Sequence, residues 1–93
     1  MTVANAKQML IRAAQGRYAV GAFNITSLVQ MAAAVDAAVG RRAPVIIQTS
    51  LSTVKFFTPG VLAAAYRAMA EAAPVPVCLH LDHCEDPALC TAC

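Results

Sequence analysis

Pro44-Val45-Ile46-Ile47-Gln48-Thr49-Ser50 decides the fold. Its opening is β-branched and apolar without polar alternation, the pattern of a strand covered on both faces. Such a strand belongs to a parallel sheet clothed by helices. Two further runs of the same kind flank it. Residues 18–23, Tyr18-Ala19-Val20-Gly21-Ala22-Phe23, end at Asn24, and residues 76–81, Pro76-Val77-Cys78-Leu79-His80-Leu81, end at Asp82-His83.

Between and around these runs the apolar period changes to that of helices. Residues 3–15 suit a leading helix, with Thr2 as the N-cap and Gly16 just past the end, where a left-handed residue often closes a helix. Ser27 and Gln30 are spaced as a capping box opening a second helix. That helix carries Leu28, Met31, Val35 and Val39 on one stripe and closes at Gly40. Thr58-Pro59 reads as an N-cap followed by proline in the first turn. The helix they start has Leu62, Ala65 and Met69 inward and stops before Pro74. Asp86-Pro87 begins a last helix. The order αβαβαβα, with strands spaced at roughly 30 residues, matches the unit length of a (β/α)8 barrel of roughly 250 residues. Strand–helix–strand units imply parallel pairing through right-handed crossovers. The expected fold is therefore α/β: an incomplete TIM barrel, its first three parallel strands with a leading helix.

Composition narrows the function. The 93 residues are 59% apolar and only 13% charged, which excludes a disordered tail. A formal net charge of +2 is too weak a field to drive nucleic-acid binding. The longest apolar run, residues 61–66, falls far short of the roughly 18 residues of a membrane span. The start lacks a basic stretch followed by an apolar one, so no signal peptide is visible and a cytoplasmic location is expected. The chain reads as an interior piece of something larger.

In parallel α/β folds ligands bind beyond the carboxyl ends of the strands. Those ends hold Asn24, Gln48-Thr49-Ser50 and Asp82-His83, so three strands deliver polar groups to one rim. Asn24 and Ser50 taken singly also suit ordinary loop residues. The adjacent acid and imidazole of Asp82-His83 are more pointed, offering a proton donor and a metal ligand together. His80 alternates onto the side of Asp82, where its ring can orient a neighbour or lie as a hydrogen-bonded core histidine. Cys84, Cys90 and Cys93 with His83 invite a small zinc-binding module. Their spacing fits no paired CxxC framework, and packing of reduced thiols explains them better: Cys78 lies within a strand, and Cys90 and Cys93 share a helical stripe for burial on the sheet. Lys55 and Arg41-Arg42 read as a solvated loop lysine and helix-end cations.

The three strand runs, taken with their order and separation, closely resemble the opening of the class II, zinc-dependent fructose-bisphosphate aldolases and the related tagatose-bisphosphate aldolases. The likeness extends through the leading helix. The resemblance implies that residues 1–93 are an N-terminal fragment, about the first third, of a single aldolase barrel domain. It implies Asp82 as the acid that exchanges a proton with the aldehyde-derived oxygen, and His83 as the first histidine ligand of a catalytic Zn2+. It places Ser50 and Asn24 against the phosphorylated sugar substrate. The implied activity is reversible aldol cleavage of fructose 1,6-bisphosphate to dihydroxyacetone phosphate and glyceraldehyde 3-phosphate, in glycolysis and gluconeogenesis, with a homo-oligomeric parent enzyme admitted. The family's other zinc ligands and phosphate loops fall beyond Cys93, so the chain alone is expected to be inactive. Cys84 stands where a glycine is often found. The competing reading is a non-catalytic truncated product that acts by association.

Overall fold

The computed structural model describes residues 3–92. Eight elements follow one another: α1 (Ala6–Gly16), β1 (Gly21–Asn24), α2 (Leu28–Gly40), β2 (Val45–Ser50), α3 (Leu51–Phe57), α4 (Pro59–Ala72), β3 (Val77–Asp82) and α5 (Pro87–Ala92). The strands form one parallel sheet in the order β1-β2-β3. The expected α/β order is present, with one element more than the sequence reading supplied.

Alternation along the strands divides the sheet into two faces. Val45, Ile47 and Thr49 of β2 are buried, while Ile46, Gln48 and Ser50 between them are only half-buried. The buried set joins Val77 of β3 and the apolar residues of α2, α3 and α4 in a single core that includes Ile25, Met31, Val35, Val54 and Leu62. Helices thus cover one face closely. Among the described residues the carboxyl half of the other face is left uncovered, and the polar side chains there bond to one another.

Helix ends depart from expectation in instructive ways. The proposed cap Thr2 lies outside the described residues; α1 is capped by Asn5, whose side chain accepts from the Lys7 amide at 2.8 Å. Val3, read as helical, instead bridges Val77, and the Ala4 amide donates to the Val77 carbonyl. Gly16 and Gly40 both end up inside their helices. The left-handed residues are Arg17 (φ 57°) and Arg42 (φ 51°), which close the turns with amides bonded back to the helix or beside it. Half of the capping box forms as read, with the Gln30 amide donating to Ser27 Oγ; the Gln30 side chain accepts from the Thr26 amide and hydroxyl instead of from Ser27. β1 begins at Gly21, so residues 18–20 lead into the strand without pairing.

The segment after β2, read as a loop carrying Lys55, is the short helix α3, which buries Thr53 and Val54. In α4 the inward stripe is Leu62, Tyr66 and Ala70 rather than Leu62, Ala65 and Met69, although Met69 packs partly against the core. The rotation has a cause: the buried Tyr66 hydroxyl donates to the Val77 carbonyl at 2.7 Å, tying α4 to β3. On α2, Met31, Val35 and Ala38 are buried, while Leu28 is exposed and Val39 only packs at the edge. Thr58 joins α3 to α4 at φ 66° and ψ 147° and makes no side-chain cap, contrary to its reading as one. That backbone region is costly for a β-branched residue. No helix among the described residues is long and apolar enough to cross a membrane.

Candidate active site

Parallel pairing aligns residues in rows across the sheet. Asn24 pairs with Gln48 and Gln48 with His80, so three polar side chains from three strands share one row and one face. The next row on that face pairs Ser50 with Asp82. The rim read from the strand ends is therefore a real surface, and Gln48 is its centre. Gln48 Nε2 donates to Asn24 Oδ1 at 2.7 Å and to Asp82 Oδ2 at 3.1 Å, while Gln48 Oε1 lies 3.1 Å from His80 Nδ1.

Asp82 and His83 meet by an exception to strand geometry. Strict alternation would send consecutive residues to opposite faces. His83 adopts φ 54°, which turns the chain at the strand end and sets its Nε2 3.3 Å from Asp82 Oδ2. A left-handed backbone at a non-glycine residue costs about 1 kcal/mol. The His83 side chain stays 85% exposed, and Asp82 is 32% exposed. A carboxylate and an imidazole thus sit side by side, both reachable from the open face.

The remaining site candidates fall into place unequally. Asn24 joins the network directly. Ser50 shares the Asp82 row, yet its hydroxyl turns toward α3, 3.1 Å from Ser52 Oγ and 3.4 Å from Thr53 Oγ1. Gln48 was visible as a polar residue at a strand end but not as the hub, because strand register cannot be read from one sequence. His80, open between two readings, is exposed and engaged with Gln48, so it is not a core histidine.

The cysteines divide. Cys78 is buried, and burial pushes its thiol above the usual cysteine range, with the Ala6 backbone amide opposing in part. Cys90 is exposed on α5, which corrects its reading as a residue buried on the sheet; Cys93 lies outside the described residues. Among the described residues no three of His, Cys, Asp and Glu converge to hold a metal ion. A site needs at least three protein ligands. His83 can furnish one, and the described residues by themselves do not complete the set.

A sequence profile described as "Fructose-bisphosphate aldolase class-II" matches residues 4–93. The chain belongs to the class II fructose-bisphosphate aldolase family. A fructose-bisphosphate aldolase of Treponema pallidum is 35% identical over 94 residues, covering 96% of this chain and 28% of the relative. The D-tagatose-1,6-bisphosphate aldolase subunit GatY of Klebsiella oxytoca is 36% identical over 86 residues, covering 92% of this chain and 30% of the relative. Among solved structures, the YdjI aldolase from Escherichia coli K12 superposes with a TM-score of 0.87 at 26% identity, over 97% of this chain and 35% of that one. The chain thus spans between 28% and 35% of the length of these relatives. Its three parallel strands with a leading helix correspond to part of an aldolase barrel.

Proposed function

We propose that this chain carries the proton-transfer group and one metal ligand of a class II ketose-bisphosphate aldolase acting on fructose 1,6-bisphosphate. The observation that carries the reading is the pairing of Asp82 and His83 at the carboxyl end of β3, on the face shared with Asn24 and Gln48. Residues 1–93 then form the first part of one barrel domain whose later strands would complete the site. A cytoplasmic, homo-oligomeric enzyme of glycolysis and gluconeogenesis fits the same reading.

Asp82 holds and moves the proton. In the cleavage direction its carboxylate takes the proton of the C4 hydroxyl as the C3–C4 bond breaks, and that oxygen becomes the aldehyde carbonyl. The bonding electrons pass to C3, and in condensation the protonated Asp82 returns the proton to the aldehyde oxygen. The Gln48 amide donates to one carboxylate oxygen, Oδ2, which holds the carboxyl group in place on the rim. Asn24 and Ser50 supply hydrogen-bonding groups for the sugar on the same rim. His83 would hold Zn2+ together with ligands from outside this chain. When bound, the metal supplies Lewis-acid polarisation of the ketose carbonyl.

The test uses the full-length product of the gene. Asp82→Ala is expected to lower kcat by about 10²- to 10⁴-fold while the zinc content, read by atomic absorption, stays equal to wild type. His83→Ala is expected to lose both zinc and activity. Full turnover in Asp82→Ala would overturn the assignment.

A further inference from the structure

We propose that Gln48 is a positioning residue that holds His80 in one tautomer, making His80 Nε2 a fixed hydrogen-bond acceptor for a substrate hydroxyl. The inference rests on the aldolase reading of the same face and adds to it a group that the reading leaves without a role.

The argument starts from what each atom can do. An ionised carboxylate only accepts hydrogen bonds, so the Gln48 atom 3.1 Å from Asp82 Oδ2 is the amide nitrogen. Its second hydrogen goes to Asn24 Oδ1 at 2.7 Å. Both donors of the amide are then committed, and the atom facing His80 is the carbonyl oxygen Oε1. A carbonyl oxygen has no proton to give, so His80 Nδ1 carries the hydrogen across that 3.1 Å contact. In a neutral ring the lone pair is therefore on Nε2. The bonds of one intervening amide to Asn24 and Asp82 thus set the tautomer of His80.

Two further observations make the arrangement rigid and accessible. The pairing Gln48↔His80 is fixed by the backbone ladder, and the buried Thr49 hydroxyl donates to the His80 carbonyl at 3.3 Å beside it. His80 Nε2 has no hydrogen-bond partner among the described residues, and the side chain is exposed. His80 and Asp82 project from the same face two residues apart, a rise of about 7 Å along the strand. A sugar chain hydrogen-bonded at both ends can span that interval. An Nε2 lone pair repels phosphate oxygens and welcomes a hydroxyl hydrogen, so the ligand group it suits is an alcohol of the ketose.

The experiment reads the tautomer directly. In the full-length product labelled with ¹⁵N-histidine, long-range ¹H–¹⁵N correlation at neutral pH should show His80 as the Nδ1–H form. Gln48→Met, of similar shape but without the amide, should shift His80 toward the Nε2–H form that a free side chain favours. Gln48→Glu keeps an acceptor opposite Nδ1 and should preserve the Nδ1–H form, which supplies a second reading should the Met variant fold poorly. An Nε2–H signature in wild type, an unchanged signature in Gln48→Met, or an Nε2–H signature in Gln48→Glu would each overturn the proposal. In the kinetic arm, His80→Phe keeps a ring of similar shape but removes the Nε2 acceptor from the pocket. KM for fructose 1,6-bisphosphate should rise about three- to tenfold, with the smaller effect on kcat; an unchanged KM would refute the substrate contact. Absence of aldolase activity in wild type would remove the functional reading while the spectra still decide the tautomer.

Discussion

Along β2 and β3, neighbouring residues meet two different solvents. Val45, Ile47 and Val77 face a helix-covered core in which they are at most 2% exposed. Gln48, His80 and Asp82 face the open side and satisfy one another through directional bonds. One set gains its energy from area removed from water, the other from the placement of a few polar atoms. The comparison teaches that stability and chemistry are interleaved residue by residue in this sheet, and so should be separable by mutation.

The largest stability effect is expected from Ile47→Ala, which empties a fully buried position and should cost about 2 to 5 kcal/mol in urea unfolding. Gln48→Met, one residue on, should change stability by less than about 1 kcal/mol. Equal losses at the two positions would break the comparison. Tyr66→Phe comes next, because it leaves the buried Val77 carbonyl without its side-chain donor; about 1 to 2 kcal/mol is expected, with the His80 spectrum unaltered. Thr58→Gly should go the other way, stabilising by up to about 1 kcal/mol as the left-handed strain is relieved, and a melting temperature that falls would refute it.

The smallest effect is a pH trend. Burial raises the Tyr66 hydroxyl, with the Cys78 charge adding to it, and burial likewise raises the Cys78 thiol. In the unfolded chain these groups release protons near about 10 and about 8.5. Above those values the unfolded chain has lost protons that the folded chain keeps, so stability falls as pH rises. Their contribution is complete below about pH 8.5 and lost through the raised folded values. Urea midpoints between pH 8 and 10.5 should decline, and Cys78→Ala should remove the earlier part of the decline; a flat profile would sink the idea.

Much of this division was legible in the residues. The three apolar runs, each ending in a polar group, located the strands, and Asp82-His83 stood out as an acid beside an imidazole. What stayed hidden depends on the third dimension. Gln48 became the hub only once the ladder aligned it between Asn24 and His80. The turn at His83 depends on backbone strain that composition does not announce. Tyr66 displaced Ala65 from the inward stripe because its hydroxyl finds a carbonyl on another element. The end of α1 misled because arginine rather than glycine takes the left-handed position.

The row Asn24–Gln48–His80 has one more consequence, for how the strands find each other during folding. The apolar alternation of β3 forbids a slip of one residue, since Val77, Leu79 and Leu81 would be turned to the open face. A slip of two keeps each residue on its own face, and the hydrophobic pattern barely notices it. That slip would place Gln48 opposite Cys78 or Asp82 instead of His80. The polar row thus tells the native pairing from the near-miss that greasy contacts alone would accept. The same polar groups act as the sheet's alignment mark.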